Sequence, residues 1–416
     1  MFEVSLKILL VNSGYPPNNI GGAEIYVESL AEALAEKHKV FIYTTNPPSK
    51  SSDGIKILGI KEPSSIRGLL ISTTYKNPKI EENFRETLKE VDPDIVHFHN
   101  IWRFRTARLP IISKEEGYPT IMTLHDYWFM CPTSLLMFKR QIPCSGPNPH
   151  KCAECWNCTV LNLAPMKFSA LKSILDYVNT PTEFSRRFEV LKETLRIIDG
   201  IIAPSKFLAK MAVSIGVPSI KIYYIPNGYP YSRFVGFKKK RSYYDDGRIV
   251  FGFVGVPTPQ KGVHIATSAL KYLKNANIEL RIYGKIINKS YIKKLGNDPR
   301  VKIMGKFTDP KEPYSEIDVL LFPSLSYENC PLVLAEAALS RVPVIASDLG
   351  AIPEFVINGV NGFLFKPGDP KDLADKMKLI IKDPELIRKM GEAQMPPRDI
   401  PYHASEILRV YKKIMN

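Results

Sequence analysis

The chain has 416 residues, 57 basic and 42 acidic side chains for a formal charge of +15, with 44% hydrophobic and 24% charged residues. At roughly 100–200 residues per domain this length suits two or three domains with full cores, and the ordinary composition excludes disorder, collagen and coiled coil as the main state. No apolar run approaches the ~18 residues of a spanning helix, and Lys7–Val11 is too short for a signal peptide, so the reading is a cytoplasmic chain.

Lys7-Ile8-Leu9-Leu10-Val11 reads as a buried strand stopped by Asn12, Ser13, Gly14 and Pro16-Pro17. From Ala23, the residues Val27, Leu30, Ala31, Leu34 and Ala35 recur at helical spacing, while Glu24, Glu28, Glu32 and Glu36 take another face. Val40-Phe41-Ile42-Tyr43 resumes strand character, which makes the start a βαβ unit. Short apolar runs then return at Ile95–Phe98, Thr120–Leu124, Gly200–Ala203 and Ile222–Ile225, separated by helix-length segments. Arg103, Arg105 and Arg108 around Trp102 and Phe104 are the nearest approach to a nucleic-acid patch. They lack a recognisable module, so the reading is no nucleic acid, and an ordinary surface or an anionic-acceptor patch instead.

Between about Tyr229 and Arg248 the apolar rhythm lapses and Lys238-Lys239-Lys240-Arg241 appears, which reads as a solvated interdomain linker. The same grammar restarts at Ile249–Val254, Glu279–Tyr283, Val301–Met304, Asp318–Phe322 and Val342–Ala346. Two βαβ-repeating halves predict an α/β fold of two doubly wound, Rossmann-like domains facing each other across a cleft. The domains expected are residues 1–232, joined by a C-terminal helix at 400–416, and residues 246–395.

Three junctions place loop-forming residues before a helix start, where unpaired N–H groups and a partial positive charge suit phosphate: Gly21-Gly22, Lys261-Gly262 and Asn329-Cys330-Pro331. After the third, Glu336 sits about a turn and a half into a helix begun by Pro331, whereas Glu328 lies in the loop. The two carboxylates therefore take separate tasks along one extended ligand. Glu336 is flanked by Leu334, Ala335, Ala337 and Ala338, so burial demands a polar partner for it.

Gly21-Gly22-Ala23-Glu24, His125-Asp126, the Gly255 to Lys261-Gly262 loop, the glutamates Glu328 and Glu336, and Gly350-Ala351-Ile352-Pro353-Glu354 ahead of Gly359-Val360-Asn361-Gly362 occur in this order. In that order the chain resembles, over nearly its whole length, a family 4 glycosyltransferase of GT-B architecture. The resemblance implies a retaining transfer of a hexose from a nucleotide-diphosphate sugar to a glycan or lipid-linked acceptor, with no catalytic metal. It implies that Glu336 holds ribose hydroxyls, Glu328 holds sugar hydroxyls, and Lys261 with the backbone at Leu332 and Val333 holds the pyrophosphate, helped by Gly22. Gly21, Gly255, Asn329 and Cys330 fall on the remaining donor-binding positions. His125 would touch the sugar near the reacting carbon, and a C-terminal helix around Ile407–Ile414 would return to the first domain. The bland alternative for His125 is a strand-end histidine bonded to a carbonyl. Val256 stands where the family often has an arginine. A nucleotide-sugar epimerase, or a binding protein with weakened catalysis, are the competing readings, and the basic surface leaves contact with an anionic membrane open.

Cys131, Cys144, Cys152, Cys155 and Cys158 crowd into 131–158, and Cys152-x-x-Cys155-x-x-Cys158 has chelate spacing. Structural zinc, an iron–sulfur cluster, disulfides and free thiols all remain open. For a metal, Cys131, Cys144, Cys152 and Cys155 are the first choice of ligands, with Cys158 spare. By analogy with relatives the block lies on the acceptor side.

Overall fold

The computed structural model describes residues 5–19, 21–48, 54–61, 70–163, 169–295 and 297–416. They form two compact units, one of residues 1–228 with 400–416 and one of residues 229–399.

The first unit opens with β1 (Lys7–Val11), α1 (Gly22–Ala35), β2 (Lys39–Thr45) and β3 (Ile55–Ile60), then α2 (Pro78–Val91), β4 (Ile95–Phe98), α3 (Leu109–Glu115) and β5 (Thr120–Thr123). A small hairpin, β6 (Met137–Phe138) and β7 (Ile142–Pro143), leads to three helices, α4 (Pro149–Leu163), α5 (Ser169–Val178) and α6 (Pro181–Ile197). β8 (Gly200–Ala203), α7 (Lys206–Ser214) and β9 (Ile222–Tyr224) complete the sheet. Seven strands lie in the order β3-β2-β1-β4-β5-β8-β9, and every pairing is parallel. Parallel strands covered on both faces need continuous apolar runs, and Ile8 through Val11 have no exposure. Strand β3 lies at the sheet edge and is mostly half-buried, which is why its weak Ile55/Ile57 alternation escaped the sequence reading.

The second unit runs through α8 (Tyr243–Asp246), β10 (Ile249–Val254), α9 (Val263–Ala269), β11 (Ile278–Tyr283), α10 (Lys289–Lys293), β12 (Val301–Gly305), α11 (Lys311–Glu316) and β13 (Val319–Phe322). It ends with α12 (Leu332–Leu339), β14 (Val344–Ser347), β15 (Gly362–Phe365), α13 (Pro370–Lys382) and α14 (Glu385–Glu392). Its six parallel strands are ordered β12-β11-β10-β13-β14-β15. In both units the chain reverses direction across the sheet beside its first strand, so a crevice opens at the carboxyl ends of β1 and β4 and of β10 and β13.

The chain's last helix, α15 (Ile400–Met415), belongs to the first unit, where Ala404, Ile407, Val410 and Tyr411 join the core formed by β1 and α1. The stretch read as a solvated linker corrects that reading, because it is built into the second unit. Tyr229 and Phe234 enter its core, and Arg241 pairs with the buried Asp318 at 2.6 Å. Lys239 donates to the carbonyls of Tyr314 and Ile317. An irregular backbone anchored by isolated aromatics and cations has no periodicity for a sequence to display. Tyr229 N–H also donates to Arg398 O at 2.8 Å, so the chain enters and leaves this unit side by side.

Candidate functional site

In the second unit the crevice is built from the loops after β10 and β13. Gly255 closes β10, and its carbonyl lies where a Cβ on Gly284, at the end of β11, would come within 1.9 Å. Gly262, at φ 70°, is packed equally closely: a Cβ there would sit 1.8 Å from Pro323 O. These two contacts press the Lys261 loop onto the end of β13, where Leu325 N–H also donates to Gln260 O at 2.8 Å. Lys261 Nζ consequently reaches Glu328 Oε1 at 2.6 Å, and the Ser324 hydroxyl donates to the same oxygen at 2.7 Å. Residues 67 positions apart thus meet in one ion pair, with the lysine partly exposed and the glutamate largely covered.

α12 begins at Leu332, with Pro331 as its extended N-cap. The amides of Leu332 and Val333 open the helix, ahead of any intrahelical acceptor. Glu336 is buried one turn further on, and its required partners are tyrosines: Tyr229 OH donates to Oε1 at 2.9 Å and Tyr314 OH to Oε2 at 2.8 Å. Burial raises the Glu336 carboxyl above the usual range, against the opposing pull of these two hydrogen bonds. Each carboxylate oxygen keeps a further lone pair for a ligand hydroxyl. Asn329 is buried beneath the loop, while Val256 is exposed. Gly350 and Ala351 cradle the loop from behind, with Ala351 N–H directed at Glu328 O, and Asn361 ties the following turn through Ile357 N and Phe355 O. The Gly350-Ala351 part of the Gly-Ala-Ile-Pro-Glu motif therefore backs this loop, whereas Asn361 closes its own turn.

In the first unit α1 starts at Gly22 with Gly21 extended before it and Glu24 in its first turn. His125 follows β5, and its partner is another imidazole: His125 Nε2 lies 3.1 Å from His99 Nδ1. Tyr26 packs edge-on against His99 and His125, and its hydroxyl meets His403 Nε2 at 2.7 Å. Burial holds His125 down to about 3, so its ring is neutral near neutral pH and serves as a hydrogen-bonding group without charge. Asp126 beside it is pushed up to about 6 by burial, although it accepts from Trp128 N at 2.8 Å and Asn100 Nδ2 at 3.3 Å. Asn100 N–H is in turn held by Asn12 Oδ1 at 2.9 Å, which links the ends of β1 and β4. His125, Asp126, His99 and Asn100 line one small cavity.

The sequence reading missed Tyr229, Tyr314, Ser324 and Gly284 in the second unit, and His99 and Asn100 in the first. His99-Asn100 directly after a buried strand was a usable signal, whereas Tyr229 and Tyr314 become partners of Glu336 only through packing. Cys131, Cys144, Cys152 and Cys155 carry free thiols and line one cavity that Cys158 does not line. Among the described residues no three His, Cys, Asp or Glu side chains are spaced, as they stand, to hold a metal ion.

Comparison with known proteins bears on both units. The family described as Glycosyltransferase Family 4 matches residues 20–233, and that described as Glycosyl transferases group 1 matches residues 236–395. An uncharacterized glycosyltransferase of Methanocaldococcus jannaschii is 34% identical over 158 residues, 37% of this chain but only 44% of that protein. A second one from the same archaeon is 24% identical over 401 residues, 91% of this chain and 90% of its own length. The crystal structure of Anabaena HepE in complex with UDP and glucose shares the fold, with a TM-score of 0.66 at 19% identity over 98% of this chain and 100% of that one. Matched over most of its length, with paired Rossmann-like sheets of the GT-B kind, the chain belongs to the family 4 glycosyltransferases.

Proposed function

We propose that this protein is a retaining glycosyltransferase that moves a hexose from a nucleotide-diphosphate sugar to a glycan or lipid-linked acceptor. The observation that carries the donor site is Glu336, a buried carboxylate steadied by Tyr229 and Tyr314 and placed on the same helix as the open amides of Leu332 and Val333. A carboxylate accepts hydrogen bonds from two neighbouring ribose hydroxyls, and helix-start amides donate to the oxygens of a diphosphate. Lys261 supplies the full charge from its place beside Glu328. On binding, pyrophosphate oxygens share that ammonium, and Glu328 turns to the sugar hydroxyls.

Departure of the nucleotide builds negative charge on the phosphate and positive charge at the anomeric carbon. Fixed donors at the phosphate therefore lower the barrier. Val256 offers none, so Lys261 and the α12 amides carry this role, with Gly21 and Gly22 as donor-binding residues of the first unit. The acceptor hydroxyl gives its proton to the departing phosphate oxygen on the same face of the sugar, which preserves the anomeric configuration. His125, kept neutral by its surroundings, hydrogen-bonds the sugar. The formal charge of +15 favours an acceptor that carries phosphate or sits at an anionic lipid surface, with uridine diphosphate, as in the Anabaena neighbour, the first donor nucleotide to test.

A thermal-shift panel of UDP, GDP, ADP and their common sugars tests the reading, with Glu336→Ala as control. One base should stabilise the wild type and not the variant, and NMR of the product from that donor should show a retained anomer. No shift with any nucleotide, or an inverted product, would overturn it.

A further inference from the structure

The thiol-lined cavity in the first unit takes no part in the proposed reaction. It joins two elements: Cys131 and Cys144 flank the β6–β7 hairpin, and Cys152 and Cys155 lie three residues apart on one face of α4. The cavity measures about 20 Å³, close to the volume of one water-sized sphere. That size suits a single ion. Cys155 Sγ accepts an N–H hydrogen bond from Lys139 at 3.0 Å and, as a thiol, directs its own hydrogen toward Met137 O at 3.8 Å.

A second observation comes from α6. Arg187 has no exposure, donates to Trp128 O at 2.6 Å and Thr74 Oγ1 at 3.3 Å, and stacks over the Trp128 ring. Its Nη1 is buried with no hydrogen-bond partner. Asp126 is the carboxylate within its electrostatic reach, and the Cys131 and Cys152 sulfurs lie in the same reach and would add negative charge once deprotonated. A fully buried cation is costly to hold, and one carboxylate at a distance meets its charge only in part. Four thiolates around a divalent ion carry a net charge of −2, and would answer it.

We infer that Cys131, Cys144, Cys152 and Cys155 bind one thiolate-preferring divalent ion, zinc by chemistry, with Arg187 as the buried counter-cation. Binding releases the four thiol protons and draws the sulfurs to about 2.3 Å from the metal, closer than the spread they have as neutral thiols. The ion would staple the hairpin to α4 and, through Arg187 and Trp128, steady the backbone beside Asp126 and His125.

Untagged full-length protein should carry about one zinc per chain by mass spectrometric metal analysis, the stoichiometry of a four-thiolate site. Cobalt substitution should give thiolate-to-metal charge transfer and the intense visible bands of a tetrahedral ion. Cys152→Ser and Cys155→Ser should lose the metal, whereas Cys158→Ser keeps it. Arg187→Gln should weaken zinc in a chelator competition by about tenfold, as for other outer partners of metal ligands. Should the cysteine variants not fold, wild-type protein suffices: a chelator should expose four additional reactive thiols as zinc leaves. The inference falls if protein reconstituted with zinc binds none, if iron appears with acid-labile sulfide, if intact mass shows the hydrogens lost to disulfides, or if Cys158→Ser removes the metal.

Discussion

In the proposed reaction Lys261 and Glu328 separate catalysis from stability at the level of single side chains. Their pair is partly exposed, and such pairs contribute only about 0–1 kcal/mol to folding. Lys261→Met should therefore leave the melting temperature nearly unchanged while lowering kcat on the order of 10²-fold, the usual loss when a donor to a developing anion is removed. Steady-state kinetics beside a melting curve checks both. Tyr229→Phe and Tyr314→Phe act the other way, because each deprives a buried carboxylate of a hydrogen bond. Each should destabilise the second unit by about 1–3 kcal/mol in denaturant titration. Gly262→Ala should cost about 2–4 kcal/mol and displace Lys261, since its Cβ would meet Pro323 O at 1.8 Å. Wild-type turnover in that variant would contradict the packing argument.

Helix α15 decides the integrity of the first unit. Its inner face contributes Ala404, Ile407, Val410 and Tyr411 to the core, Tyr411 OH lies 2.6 Å from His97 Nδ1, and His403 meets Tyr26. At about 1.5–3 kcal/mol for each large buried side chain, the three larger ones alone approach the ~5–15 kcal/mol that stabilises a whole domain. Truncation after Asp399 should leave the first unit unfolded and protease-sensitive while the second, complete in sequence by then, keeps its own protected fragment. Limited proteolysis followed by mass spectrometry gives the answer, and a protected first unit would show that α15 is dispensable.

Over the whole molecule, acid should act unequally on the two units. Burial holds His97, His99 and His125 below the ordinary histidine range, so these rings are neutral in the folded state and charge on unfolding. Their contribution is complete above about pH 6.5 and is lost as pH falls, by up to ~1.4 kcal/mol per pH unit for each ring. Asp126, raised to about 6, opposes this between its unfolded value near 3.8 and 6, but as one group against three. The second unit holds His264, lowered less deeply, and the raised Glu336, which favours folding in acid. Calorimetry should resolve a first-unit transition that moves sharply downward between pH 6.5 and 5 and a second-unit transition that moves little. Parallel shifts of both would refute the assignment.

The two doubly wound sheets and the family were legible in the chain itself, because parallel strands buried on both faces must be written as continuous apolar runs, and phosphate-type loops need glycines at strand ends. Glu336 announced that it required a partner, since a carboxylate among Leu334, Ala335 and Ala337 is otherwise too costly to bury. Which partner it has was settled in three dimensions: Tyr229 lies 107 positions away, in a segment whose irregular backbone left no period to read. The same holds for Lys261 with Glu328, His125 with His99, and Arg187 with Trp128. Local sequence dictates backbone pattern and burial, because these depend on neighbours within a turn or a strand. The identity of long-range hydrogen-bond and charge partners was decided by the tertiary structure, because it depends on which strand ends the crossovers bring side by side.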